Sequence, residues 1–145
     1  MPAALLDVNV LIALIDACHV HHEAAHRWFA SRGSAPWASC CLTQNAVLRI
    51  VGHPRYPNAP GGPALVSAVV KQLVAHPGHV FWEASPSLLS MSHVDAGALI
   101  DSAQITDTYL LALAVHHDGT LVTLDRRLST RAVAGGSEAL LLIPT

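Results

Sequence analysis

The sequence predicts an α/β fold, a three-layer α/β/α sandwich built on a mainly parallel central sheet. Three observations carry that expectation. Short unbroken apolar runs recur along the chain, the form taken by strands buried on both faces. Stretches with helical spacing separate them, and strands alternating with helices favour parallel connections. Two of the runs, Ala3-Ala4-Leu5-Leu6 and Thr120-Leu121-Val122-Thr123-Leu124, end on an aspartate, Asp7 and Asp125 respectively.

Taken in order, residues 3–6 read as a strand and 8–15 as a helix with Val10, Leu11, Leu14 and Ile15 on one face. A second helix is expected over 20–31, its apolar stripe made by Ala24, Ala25, Trp28 and Phe29. Breakers from Gly33 to Pro36 end it, and Trp37-Ala38-Ser39 reads as a short strand. Thr43 suits the N-cap of a helix running to Val51. The segment from His53 to Pro63, rich in proline and glycine, must be a loop. Residues 64–75 return to helical spacing, and His79 to Trp82 form a strand. Ser85-Pro86 is expected to open a helix, with helix or loop up to Gln104. A helix over 107–117, the strand 120–124, a short helix from Arg126 to Ala132 and a last strand over 140–143 complete the chain. There is no internal repeat, and the 145 residues are expected to form a single domain, 1–145.

Composition narrows the function classes. The chain is 52% hydrophobic and only 12% charged, with a net charge of −2. That balance speaks against holding nucleic acid by bulk electrostatics and leaves apolar surface for a partner. Positive charge is nonetheless clumped: Arg126, Arg127 and Arg131 follow Asp125, and Arg49 and Arg55 flank the end of a predicted helix. Such clumps are ordinarily solvated surface; beside an acidic site they could hold phosphates. No segment has the apolar length of a membrane span. Asp7 interrupts what would be the apolar core of a leader. Cys18, Cys40 and Cys41 are odd in number, with an adjacent pair poorly placed to bridge. The expectation is a reduced, cytoplasmic protein with no membrane association.

The chemistry rests on three aspartates. Parallel strands put Asp7 and Asp125 at the same sheet edge. A helix preceding the second strand runs antiparallel to it, so Asp107, at that helix's start, returns to the edge too. Open α/β sheets place their sites there. Taken singly, each aspartate also suits a turn or a helix cap. Clustered carboxylates repel unless protons or a cation hold them, and oxygen ligands without thiolates favour Mg²⁺ or Mn²⁺.

The local sequences are more specific. Leu5-Leu6-Asp7-Val8-Asn9-Val10-Leu11-Ile12 resembles the first motif of PIN-domain nucleases. Ile105-Thr106-Asp107-Thr108-Tyr109 and Leu121-Val122-Thr123-Leu124-Asp125-Arg126-Arg127-Leu128 resemble their third and fourth. Within that family the chain is most similar, over essentially its whole length, to VapC-type toxins of bacterial toxin–antitoxin pairs. The resemblance implies an endoribonuclease that cleaves RNA with metal-activated water, Asp7, Asp107 and Asp125 serving as catalytic metal ligands. It implies Mg²⁺ or Mn²⁺ as cofactor, a VapB-like antitoxin as partner and a homodimer. The apolar N-terminal helices also suggest the homodimer. Arg126, Arg127 and Arg49 would bind RNA phosphates. Asn9 would bond either to the metal's water shell or to the first-turn backbone.

One departure stands out. The family's second motif places a glutamate three residues after a threonine, yet Thr43 is followed by Gln44, Asn45 and Ala46. Gln44 or Asn45 could line the site as a neutral substitute. The lost charge should weaken metal binding, which opens the alternative of a catalytically weak PIN domain that binds RNA or protein. Other chemistries fit less well. His19, His22 and His26 share a helix face with zinc-like spacing, but no cysteine completes a site. A haloacid-dehalogenase-type phosphatase needs an aspartate where Asn9 stands, and residues 8–20 lack the glycines of a phosphate loop.

Overall fold

The computed structural model describes residues 2–145. Its centre is a five-stranded sheet, all parallel, in the order β3-β2-β1-β4-β5. The strands are β1 (Ala4–Leu6), β2 (Trp37–Cys40), β3 (His79–Trp82), β4 (Thr120–Thr123) and β5 (Leu140–Leu142). The helices are α1 (Val8–Ile15), α2 (His22–Ser31), α3 (Cys41–Val51), α4 (Pro63–Val74), α5 (Ile105–His116) and the short α6 (Gly136–Ala139). No helix among the described residues is long and apolar enough to cross a membrane.

The central strands β1, β2 and β4 are buried on both sides because both sides are covered. Ala4, Leu6 and Val122 pack into a core formed with α1, α2, α3 and α4. Leu5 and Leu121, one residue out of phase, pack into a second core against α5. α5 is buried continuously from Thr108 to Ala114. The segment 84–104 covers its outer side: Tyr109 donates its hydroxyl to Pro86 C=O at 2.9 Å, and His93 Nε2 meets Ala112 C=O at 2.9 Å.

Several elements depart from the sequence reading. No helix follows Pro86. Three 3₁₀ turns, Leu88–Ser90, Ala96–Ala98 and Ser102–Gln104, occupy the segment instead. Each is opened by a side chain, Ser87, Asp95 or Asp101, that accepts the backbone N–H two residues on. Such local bonds compete with a helical ladder. The same competition removes the helix expected from Arg126 to Ala132, where Asp125 Oδ1 accepts Arg127 N–H at 2.9 Å. The chain there turns, Val133 bridges Val94, and only then does α6 form. α3 starts at Cys41, ahead of Thr43, whose hydroxyl accepts Cys40 N–H at 3.1 Å from inside the first turn. The histidines of α2 are claimed by protein groups: His22 Nδ1 and His26 Nε2 meet the Ala13 and Leu14 carbonyls at the end of α1.

Candidate active site

β1 and β4 are paired in register, Leu6 opposite Val122, and Asp7 N–H continues the ladder to Val122 C=O at 2.9 Å. Asp7 therefore leaves the sheet beside Thr123 and immediately caps α1, its Oδ1 accepting Val8 N–H at 2.7 Å. Its Oδ2 accepts the Thr123 hydroxyl at 2.8 Å and, more weakly, Asn9 Nδ2 at 3.4 Å. Thr123 Oγ1 in turn accepts from Asn9 Nδ2 and from Asp125 N–H, both at 3.1 Å. Asn9 completes the strap by accepting Leu124 N–H at 3.0 Å. One buried hydroxyl thus ties the first strand end to the second. Sequence reasoning missed Thr123; the signal was a strand-borne threonine two residues before an aspartate, poised to accept that residue's N–H.

Asp107 sits in the first turn of α5, half-buried. Burial raises its carboxyl to about 6, and the charges of Asp7 and Asp125 push it in the same direction. Asp7, 4% exposed, is raised chiefly by burial, against the bonds from Thr123 and Val8, with Asp125 adding to the rise. The three carboxylates share one field, and no basic side chain offsets it at Asp7 or Asp107.

As their side chains lie, no three acidic, imidazole or thiol groups among the described residues close round a single ion. The donor chemistry nevertheless suits a hard divalent cation. The donors are carboxylate oxygens without a thiolate: Asp7 and Asp125 accept bonds through only part of their lone-pair capacity, and the Asp107 carboxyl accepts none among the described residues. Their unrelieved mutual repulsion is what such an ion would remove.

The remaining candidates divide. Asn9 stands in the network. Gln44 does not join it: Nε2 donates to Ser39 Oγ at 2.9 Å, and the side chain lines a small cavity with Leu11, Val47 and Leu73. Asn45 is exposed, and Ala46 leaves the glutamate position without a carboxylate. Arg49 is exposed in the last turn of α3, about 12 Å of helix beyond its start at the carboxylate edge. Arg126 and Arg127 are exposed directly after Asp125, with Arg126 Nη2 donating to Thr145 Oγ1 at 2.9 Å.

The family model described as PIN domain matches residues 4–134. The chain belongs to the PIN-domain family. This PIN domain is 42% identical over 135 residues to ribonuclease VapC44 of Mycobacterium tuberculosis, covering 93% of this chain and 94% of that one. It is 39% identical to ribonuclease VapC39 of the same organism, over 94% of this chain and 99% of that one. The fold is shared with a crystal structure of VapBC2 from Rickettsia felis bound to a DNA fragment from their promoter. That match has a TM-score of 0.60 at 12% identity and covers 85% of this chain and 88% of that one. Near-full-length identity at this level puts the PIN domain among the VapC ribonucleases of toxin–antitoxin systems.

Proposed function

We propose that this VapC-type ribonuclease cleaves RNA in the cytoplasm at Asp7, Asp107 and Asp125, with Mg²⁺ or Mn²⁺ held by the same carboxylates. The observation that carries the assignment is the pairing of the β1 and β4 ends, which Thr123 ties by bonding both Asp7 and the Asp125 N–H, with Asp107 near enough for both their charges to raise its carboxyl. Bound there, a divalent cation would supply Lewis-acid activation of water and would neutralise charge on the attacked phosphate. Thr123 and Asn9 hold Asp7 in place, and the N–H of Arg127 orients Asp125. Arg126 and Arg127, exposed on the loop after Asp125, suit contact with flanking phosphates.

The partner would be a VapB-like antitoxin, a reading supported by a structural relative described as a VapBC2 assembly. An arginine of that antitoxin laid against the carboxylates would compete with the metal. The apolar exposed surface supports a homodimer. A second reading, a PIN domain that binds RNA while cleaving it weakly, is favoured by Ala46 and by the turn of Gln44 toward Ser39. The deciding experiment maps RNA ends after induced expression of wild type and Asp107→Asn. New ends in wild type alone support the nuclease. RNA retention without new ends supports the binding module.

A further inference from the structure

A concavity of about 230 Å³ lies between the start of α5 and the loop that follows β4, lined by Asp101 but by none of Asp7, Asp107 and Asp125. These are the elements that carry Asp107 and Asp125. Gln104 fastens them together, its Oε1 accepting Ser129 N–H at 3.1 Å and its Nε2 donating to Arg127 C=O at 3.4 Å. Ile100 and Ile105 line the cavity and are 73% and 38% exposed, an apolar wall with little to cover it. Arg131 stands exposed at its rim. Thr108, one residue after Asp107, is only 5% exposed and lines the same cavity. Its hydroxyl makes no hydrogen bond to the protein among the described residues and is not sealed from solvent, so it stands open to the cavity and free to bond a ligand.

We infer that this cavity receives the base of a nucleotide flanking the cleaved phosphate. Thr108 would bond the base edge, Ile100 and Ile105 would cover its face, and Arg131 would hold a neighbouring phosphate. The inference rests on the ribonuclease reading of the carboxylates. Single-stranded RNA is read by splaying bases out of the stack and bonding their edges. A hydroxyl, a flat apolar wall and a cation supply the three contacts a nucleotide needs. Thr108 follows Asp107 in α5, about 100° round the helix, so a base seated on it would belong to a nucleotide near the phosphate served by Asp107.

The test uses short oligoribonucleotides varied at one position near the cleaved bond, including an abasic nucleotide there. Binding is measured by fluorescence anisotropy without divalent metal, and cleavage with Mn²⁺. Wild type should prefer one base at that position. Thr108→Val should lower both affinity and kcat/KM for the preferred RNA by about fivefold, the worth of one hydrogen bond. On the abasic RNA the two proteins should coincide. Ile100→Ala, at an exposed position that the fold tolerates, should also narrow the preference. A Thr108→Val deficit that persists on abasic RNA would overturn the assignment. So would unchanged selectivity in both variants, which leaves the cavity to a protein segment. Failure of the ribonuclease reading has a different signature: wild type cleaves nothing, while base preference in binding still depends on Thr108.

Discussion

Thr123 is the side chain on which both strand-end aspartates depend, because its hydroxyl donates to Asp7 and accepts from Asn9 and Asp125 N–H. Thr123→Val keeps the shape, removes the donor to Asp7, leaves the Asp125 N–H without an acceptor and leaves Asn9 Nδ2 only its weaker bond to Asp7. The expected loss of stability is about 1–3 kcal/mol, with a fall in cleavage, and Thr123→Ser should recover most of both; thermal unfolding and an RNA assay check this. Substituting the aspartates has unequal costs. Asp7→Asn would point an amide donor at either Val8 N–H or the Thr123 hydroxyl, whereas the Asp107 carboxyl has no such bond to lose. Asp107→Asn should therefore abolish cleavage while leaving the metal-free protein as stable or more so, less about 0.3–1 kcal/mol of helix-dipole interaction. The pH dependence carries the sign. Asp107 titrates at about 6 in the fold against 3.8 ordinarily, so the native state binds the extra proton across that window. Its contribution to stability falls as pH rises from about 4 to about 6. Wild type should show this loss in a melting series without metal, and Asp107→Asn should show a smaller one, keeping only what the raised Asp7 carboxyl contributes. Mg²⁺ should restore stability to wild type alone. A variant that melts with the same pH slope as wild type would remove Asp107 from the acidic cluster.

Between elements, the proline-rich loop is fastened to the end of α1 that lies away from the carboxylates. Asp16, the C-cap of α1, accepts from the Tyr56 hydroxyl at 2.5 Å, Asn58 Nδ2 at 3.1 Å and Cys18 N–H at 2.9 Å. These bonds outweigh burial, which acts first and in the opposite sense, and hold the Asp16 carboxyl below its ordinary 3.8. Stability from this group is fully present above about 4 and is lost as pH falls through the lower folded value. Tyr56→Phe should cost about 1–2 kcal/mol at neutral pH and speed hydrogen exchange in residues 53–62, and its deficit should narrow below about pH 4. That latch was not legible in the sequence, which marked 53–63 as a loop by its breakers but gave no sign of what the loop would grip. The buried strands with apolar runs were legible nearly to the residue, β1 at Ala4–Leu6 against 3–6 and β4 at Thr120–Thr123 against 120–124, and α1 at Val8–Ile15 and the half-exposed edge strand β3 at His79–Trp82 agree with expectation as well. Where serines and aspartates offered the backbone local acceptors, helical expectation failed, at 86–104 and again at 126–132. That Asp107 feels the charges of Asp7 and Asp125 agrees with the strand and helix directions read from the sequence. Gln44 could not be placed that way, because a helix can turn its first-turn polar side chain inward, here to Ser39, without any change in sequence pattern.

At the scale of the whole molecule, a protein of net charge −2 must still attract a polyanion. Its total charge gives no long-range help, so any electrostatic contribution to RNA binding has to come from local clusters within a Debye length of the carboxylate edge, about 8 Å at physiological salt. Arg126 and Arg127 are such a cluster, exposed and contiguous with Asp125. They are not equivalent: Arg126 donates to the Thr145 hydroxyl, an exposed contact that phosphate can displace, whereas among the described residues Arg127 bonds only through its backbone, to Asp125 and Gln104, and leaves the guanidinium available. If both meet phosphates, each releases counterions from single-stranded RNA and adds about 0.7 to the slope of log affinity against log salt. The double variant Arg126→Ala, Arg127→Ala should therefore weaken RNA binding and reduce that slope by about 1.4, while its melting temperature stays close to wild type because neither guanidinium is buried. Arg49→Ala, at the far end of α3, should leave the slope unchanged. The measurement is a salt titration of RNA affinity in metal-free buffer, which separates phosphate contact from catalysis. A double variant with weaker binding but an unaltered slope would mean that the loop acts by positioning Asp125 through the Arg127 backbone, and that the phosphates are held elsewhere.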